Sequence, residues 1–406
     1  MLRSLYSGIS GLRSHQAMLD VTGNNIANVN TTGFKASAVQ FQDTLSQMTQ
    51  GGSAGTDSAG STNAAQIGLG VKVAGVSTNF AQGAGQATGR ASDLMISGDG
   101  LFAVQSAGET VYTRSGALDF DSLGRLVTTD GAFVQGWTAT DGVLNEGGAV
   151  GTISLPVKSI SEAKTTGSIT IGGNLPADAA VGTEIKRDIE VFDGVGASTT
   201  ITLIFTKPTS SNAWTVTSPE GKVQQTDSAG NVLPASVDFD PTTGKLSSTG
   251  LFSLDRSTGT DINLNFSSLT GSAKLKTMEV INQDGRAAGT LSTYSIGADG
   301  VITGSYSNGA TEPIARIALA TFANAGGLEK AGGSTYRATA ASGTVTLGKP
   351  SSAGFGTLAG GYLEMSNVDL SQEFTNLIVA QRGFQANARI ITTSDSVLEE
   401  LTNLKR

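Results

Sequence analysis

Residues 370–404 read LSQEFTNLIVAQRGFQANARIITTSDSVLEELTNL, and the spacing of apolar residues in this stretch decides the fold. Leu370, Phe374, Leu377, Phe384, Ala388, Ile391 and Leu398 recur in steps of three, four and seven, which sets them on one side of an α-helix and off the period of a strand. Gln381 and Asp395 interrupt the stripe, as polar residues do where one register of helix pairing is selected at some cost in stability. Ser366 and Asp369 stand ahead of the run in capping-box spacing and predict the helix start. At about 1.5 Å per residue the helix is on the order of 50 Å long, too long for a small core to wrap. A one-sided stripe of that length predicts a helical partner, either the other end of this chain or a neighbouring copy.

The other end has the same grammar. Leu2, Leu5, Ile9, Leu12, Leu19 and Ile26 follow a heptad seam broken by Gln16 and Gly23. Both termini are therefore predicted as long amphipathic helices, paired in the manner of a coiled coil. Alone in water such segments have nothing to cover their stripes, so they are expected to be weakly helical or disordered in a free chain and to order on assembly. Each Leu or Phe buried contributes roughly 1.5–3 kcal/mol toward the ordering cost.

Between the ends the pattern changes to short alternating apolar runs among 54 Gly and frequent Ser and Thr. Asp-Gly pairs at Asp99-Gly100, Asp130-Gly131, Asp141-Gly142, Asp193-Gly194, Asp284-Gly285 and Asp299-Gly300, with Asn308-Gly309, offer the positive φ that tight hairpins need. Ile201–Phe205, Trp214–Thr217 and Ile314–Phe322 read as strands, and residues 50–63 as a flexible loop. The predicted class is mainly β with terminal α-helices, the sheets antiparallel. No proline precedes Pro156, whereas Pro156, Pro176, Pro208, Pro219, Pro234 and Pro241 crowd one central stretch, which marks an insertion. The expected organisation is a terminal helical assembly domain (1–30 and 366–406), a linker or extended region (31–70 and 355–365), an inner β-domain (71–149 and 276–354) and an inserted outer β-domain (150–275).

Composition narrows the function. A chain of 406 residues holds more than one core, and a net charge of -8 argues against a nucleic-acid partner. With no cysteine and one histidine, thiolate catalysis, Cys-ligated metals and two-histidine sites are excluded. Arg3 and Arg13 flank a stretch broken by Ser4, Ser7, Gly8, Ser10 and Gly11, so no cleaved signal peptide is expected, and no apolar run is long enough to cross a bilayer.

The remaining candidates have plain readings. A helical histidine such as His15 is ordinarily a surface or interface residue. Asp119, Asp121 and Gly124, like Asp238, Asp240 and Gly244, suggest a calcium loop without its glutamate and read as turns. Asp119 and Asp121 as paired acids of a hydrolase would be same-face neighbours on one strand, a poor arrangement for opposing carboxylates. Gly68, Gly70 and Gly75 lack the Lys-Ser/Thr of a phosphate loop and read as backbone bends. Trp137 and Trp214 suit either a glycan-binding face or an ordinary β-core.

Two segments name a family. GNNIANVNTTGFK at residues 23–35, with Asn24, Asn25, Asn28, Gly33, Phe34 and Lys35, resembles the N-terminal signature of bacterial flagellar rod and hook proteins. SNVDL at 366–370 and AQRGFQAN at 380–387, with Asn367, Asp369, Gln381, Arg382 and Asn387, resemble the family's other end. GLGVKV at 68–73, DLMISGDGLF at 93–102 and YTRSG at 112–116 are also similar to the family, and GNLP at 173–176 is a weaker hook-like cue.

The resemblance implies a structural, non-enzymatic homopolymer without cofactor: a tube with the paired helices innermost, β-domains strung outward, and a channel for exported subunits. It implies an extracellular place in the flagellum, export without a cleaved signal peptide, and rod, hook-cap, hook-filament junction and export proteins as partners. Rod proteins of the family are shorter by about one β-domain, a unit on the order of 100 residues, so length points to the hook. A distal rod subunit, a secreted adhesin or glycan-binding protein, and a β-rich hydrolase are the other readings.

Overall fold

The computed structural model describes residues 2–52, 54–55, 60–140, 142–155, 160–208, 212–226, 232–248, 250–256 and 260–403. Leu2–Ala27 forms helix α1, Leu370–Asn403 forms helix α2, and the chain between them is mainly β. The side chain of Leu2, residue Asp141 and residue Leu404 lie outside the described residues. Among the described residues no helix is long and apolar enough to cross a membrane.

Helix α2 starts where a side chain satisfies its free N–H groups. Asp369 Oδ1 accepts from Ser371 N at 2.8 Å and Gln372 N at 3.3 Å, and Glu373 in the first turn sits at the positive end of the helix dipole. Ser366, expected to share the helix start, instead accepts from Val368 N at 3.4 Å, outside the helix. Asp369 stands at the N-cap itself, so a serine three residues upstream lies outside the first turn.

The chain divides into two units. The first comprises residues 1–155, 295–303 and 313–406, and the second comprises 156–294 and 304–312. In the first, α1 and α2 pack along one another, and a two-stranded ribbon follows α1. Strand β1 (Ser37–Asp43) pairs antiparallel with β4 (Val71–Thr78), and β2 (Ser46–Gln50) pairs with β3 (Ala65–Gly68). Gly70 (φ 128) brings the ribbon onto α1, since a Cβ there would lie 2.2 Å from Ser10 Oγ. Leu101–Ser106 forms a hairpin with Glu109–Thr113 and also pairs with Phe133–Thr140 and Leu319–Thr321. The core below these strands joins Leu101, Ala103, Tyr112, Ala320, Leu328 and Tyr336, with Tyr112 edge-on to Phe322 at 4.8 Å. Burial pushes the Tyr336 hydroxyl up to about 12.

Ile314–Phe322 is not one strand. It breaks at the buried Ala318 into Thr311–Ile317 and Leu319–Thr321, with Ala318 N turned to Gln135 O.

In the second unit Glu184–Phe192 pairs along its whole length with Ser198–Thr206, and Trp214, Phe205, Phe252 and Phe266 fill the core. Ser168–Asn174 lies parallel to Ile262–Thr270 and antiparallel to Glu279–Gln283, so the sheet is not purely antiparallel. A parallel neighbour needs a long crossover, and residues 175–261 provide it by building the unit's other strands. Because Glu279–Gln283 hydrogen-bonds into this sheet, the unit extends beyond residue 275.

Not every Asp-Gly pair uses its glycine as expected. Gly100, Gly131, Gly142, Gly300 and Gly309 have positive φ, but Gly194 and Gly285 do not. At the Asp193 turn Gly196 (φ 83) takes the left-handed position. Gly285 is small for a packing reason, since a Cβ would lie 1.9 Å from Thr166 Oγ1.

Candidate functional site

The two helices meet through small residues. Gly8, Gly11, Ser14, Thr22 and Asn25 are the buried positions of α1, and Ala380 and Ser394 those of α2. A Cβ on Gly11 would lie 2.7 Å from Asn387 Oδ1, and one on Gly383 would lie 2.5 Å from His15 Nε2. Asn387 against Gly11 and His15 against Gly383 are thus knobs in glycine holes that fix how far one helix can slide along the other. Asn387 also donates to Gly383 O at 2.8 Å, which holds its side chain toward the seam.

The seam takes one of the two partners the stripes predict, the other end of the same chain, but the stripe residues are not its contact centre. Leu5, Ile9, Leu12, Leu19, Ile26, Leu377, Phe384, Ile391 and Leu398 are half-buried, flanking a glycine-lined contact that brings the backbones close. Leu370 and Phe374 remain 40% and 52% exposed. Ile378, Val379, Ile390 and Val397 are exposed as well, and the heptad pattern did not reveal them. At 3.6 residues per turn, Leu370, Phe374 and Ile378 fall on one side of the line through Ala380, Asn387 and Ser394, and Val379, Ile390 and Val397 on the other. The off-stripe pair Ile378-Val379 was the visible signal of this second apolar surface.

Beyond the helices, both ends of the chain converge on one junction. Asn25 Oδ1 accepts from Ser37 N at 3.0 Å while its Nδ2 donates to Ser37 O at 2.7 Å and Glu373 Oε1 at 3.1 Å. One amide therefore ties α1 to β1 and α2. Asn28 folds back on Asn24 O at 2.9 Å and accepts from Thr31 Oγ1, closing the turn after α1. Gly33 (φ 68) passes so near Ser115 that a Cβ would lie 2.4 Å from its backbone N. Phe34 is buried with Lys330 Nζ 4.9 Å from its ring centre.

Lys35 and Glu364, both fully buried, pair at 2.6 Å. Arg114, 5% exposed, places Nε 3.0 Å from the other Glu364 oxygen, and its guanidinium donates to Gly98 O and Gly100 O. Gly83 N donates to Glu364 Oε1 at 2.8 Å, and Lys35 Nζ donates to Ala81 O at 2.7 Å. Asn367 completes the junction, accepting from Ala36 N at 2.8 Å and donating to Asn79 O and Ala81 O. Burial pushes the Lys35 ammonium and the Arg114 guanidinium down, and the shared carboxylate pulls against both shifts. Arg114 stood in the family-like YTRSG segment, but Glu364, Glu373 and Lys330 were not singled out from the sequence; a glutamate ending the strand Tyr362–Glu364 gives no sign that it is buried.

Other signature residues have no such role within the chain. Asn24, Gln381 and Arg382 are exposed, and Arg382 donates to Gln385 on its own helix. Asp121 accepts from Leu123 N and Arg125 N, and Asp119 pairs with Arg90 at 2.9 Å. Asp240 closes its own turn through Thr242 and Thr243, bonds that hold its carboxyl at about 2. Among the described residues no group of three or more acidic or His side chains converges as for a metal. Trp137 donates to Gly148 O, and Trp214 lies in the core of the second unit.

Four family models match the chain. These are the flagella basal body rod protein over residues 5–35, the flagellar hook protein FlgE/F/G D1 domain over 95–175, the flagellar basal body protein FlaE D2 domain over 174–286, and the flagellar basal body rod FlgEFG protein C-terminal over 359–404. The chain is 39% identical over 443 residues to the flagellar hook protein FlgE of Borreliella burgdorferi and 36% identical over 466 residues to that of Treponema pallidum. It is 34% identical over 407 residues to the flagellar basal-body rod protein FlgG of Bacillus subtilis. Each alignment covers 100% of both chains.

Proposed function

The chain belongs to the flagellar hook protein family and is a structural subunit of the hook; from this we propose that copies polymerise through the flanks of the helix pair into a curved hollow tube that couples rod to filament and passes exported subunits. One observation carries the reading. With its internal seam complete, the helix pair still exposes Leu370, Phe374 and Ile378 on one side and Val379, Ile390 and Val397 on the other. Two apolar flanks give each copy two neighbours, and a head-to-tail contact that does not close makes a helical filament.

Burying each of these side chains contributes roughly 1.5–3 kcal/mol. The half-buried Leu5, Ile9, Leu12, Leu19, Ile26, Leu377, Phe384, Ile391 and Leu398 edge the same surfaces. Exposed Gln381 and Arg382 supply the polar part of that contact. Bending needs outer surfaces that exchange contacts, and a chain with 15% charged residues and abundant Gly suits weak polar ones.

The site is an assembly surface, and as a hook subunit the protein works as a structural, non-enzymatic, extracellular part of the flagellum. Rod, hook-cap, hook-filament junction and export proteins are its expected partners. Electron microscopy of the purified chain after polymerisation tests the reading. Curved hollow tubes are expected; straight tubes would favour a rod subunit, and a chain that stays monomeric at every concentration would overturn self-assembly.

A further inference from the structure

The charge cluster at Glu364 has two halves of different origin. Its acceptor half comes from strands and turns of the first unit. Glu364 ends the strand Tyr362–Glu364, which pairs with Gly85–Ala87, and Met365 N donates to Ala84 O at 2.9 Å. Gly83 N donates to Glu364 Oε1 at 2.8 Å, and Arg114, held by Gly98 O and Gly100 O, stands 3.0 Å from Oε2. The carboxylate is thus fixed in place, and its charge answered, by residues that lie between 83 and 114 in sequence. The ammonium arrives from elsewhere. Lys35 Nζ reaches Glu364 Oε1 at 2.6 Å and Ala81 O at 2.7 Å from the stretch that follows α1.

The strands carry their own hydrogen-bond ladders, whereas the terminal segments are expected to order on assembly. A lysine is a demanding plug for such a position. Burial pushes its ammonium down while Glu364 pulls it back, and Arg114 already shares the carboxylate. In any other register the same charge would be buried without an acceptor, which is strongly destabilising, and fixing a register is the best-attested use of a buried ion pair. Contacts on either side of Lys35 agree on one register: Gly33 N donates to Glu364 O at 2.8 Å, and Ala36 N donates to Asn367 Oδ1 at 2.8 Å.

We propose that Glu364, Ala81, Gly83 and Arg114 form, in the unassembled subunit, a ready-made socket for a primary ammonium, and that Lys35 enters it only as the N-terminal segment orders on assembly, fixing the register in which that segment joins the strands. The consequence for growth rests on the assembly reading above. The socket itself is a property of the free chain and is tested there.

The test uses the full-length chain, unpolymerised and in seeded growth, with n-propylammonium as the probe, since it supplies the carbons and the ammonium that Lys35→Ala removes. Before polymerisation Lys35→Ala should unfold at the native temperature, because Lys35 is not yet docked, whereas Glu364→Gln, which leaves Arg114 without its carboxylate, should unfold at a lower one. n-Propylammonium should raise the unfolding temperature of unpolymerised Lys35→Ala, and tetramethylammonium, equal in charge but with no N–H to donate, should not. In seeded growth Lys35→Ala should need a concentration about tenfold higher, the scale of a lost charged hydrogen bond, and n-propylammonium should restore it. Loss of stability in unpolymerised Lys35→Ala to match Glu364→Gln would show Lys35 docked in the free chain and overturn the proposal. So would native growth of Lys35→Ala, the lack of any effect of n-propylammonium on unfolding, or an effect that tetramethylammonium reproduces or that persists in Lys35→Ala/Glu364→Gln. Failure of the native chain to polymerise would instead strike the assembly reading, and the unfolding measurements would still decide the socket.

Discussion

The imidazole of His15 fills the space that a side chain on Gly383 would need, with Nε2 2.5 Å from where that Cβ would stand. Glycine inside a helix costs roughly 1 kcal/mol relative to alanine, so its presence in the middle of α2 has a packing cause. Gly383→Ala should destabilise the helix pair despite its better helix propensity, because overpacking a closed contact costs about 1–3 kcal/mol. Denaturant unfolding followed by far-UV circular dichroism reads the effect. His15→Ala in the same chain should recover part of the loss, and no recovery would place the strain elsewhere.

Exposed flanks and seam separate in mutation. Phe374→Asp and Ile378→Asp touch no intramolecular contact centre, so the monomer should unfold within about 0.5 kcal/mol of the native chain, as surface changes do. Polymer formation, followed by sedimentation, should be lost. A variant that polymerises normally would remove this flank from the interface.

Asn25 makes three bonds that join α1, β1 and α2. Asn25→Ala leaves the Ser37 N–H and C=O without this partner in a half-buried setting, at a cost of about 1–3 kcal/mol. Asn25→Asp keeps the acceptor for Ser37 N but sets a carboxylate against Ser37 O and Glu373, and should be no better. Thermal unfolding of the two variants decides the point.

Two titrations should distinguish the units at opposite extremes of pH. Tyr336 is raised from 10.0 to about 12 by burial, so its contribution to the first unit is complete below pH 10 and lost as pH rises from there toward 12. Tyr336→Phe should flatten alkaline unfolding in that window. Asp240 is lowered from 3.8 to about 2 by its turn bonds, so its contribution to the second unit is present above 3.8 and lost as pH falls toward 2. Asp240→Asn should flatten the acid limb, read from Trp214 fluorescence; unchanged slopes would show that these groups titrate alike in folded and unfolded chains.

Removing the central insertion, residues 150–275, tests whether it shapes the hook rather than builds it. A tube of altered curvature is expected by electron microscopy. Loss of all polymerisation would count against the helix pair as the principal contact. The second unit reaches Tyr294 and includes 304–312, so a deletion at the observed borders is the cleaner form.

Much of this protein follows from local rules. Heptad spacing alone marks Leu2–Ala27 and Leu370–Asn403 as helices, and β-branched runs between turn residues mark strands such as Ser198–Thr206, because helix and strand periods are properties of neighbouring residues. The family is legible for the same reason, its signatures being contiguous. What those signatures hold together was not. Asn25, Lys35 and Asn367 were visible as motif residues, but their partners Glu373, Glu364 and Ala36 lie elsewhere in the chain, and no periodicity links them.

Tertiary structure alone decided three things. It seated the helix pair on glycines instead of leucines, because only packing shows how near two backbones approach. It ran Ser168–Asn174 parallel to Ile262–Thr270, because register between distant strands is set by the whole unit. It buried Lys35, Arg114 and Glu364 together, because a charge leaves water only where its counter-charge is carried to it, and that meeting is written in three dimensions.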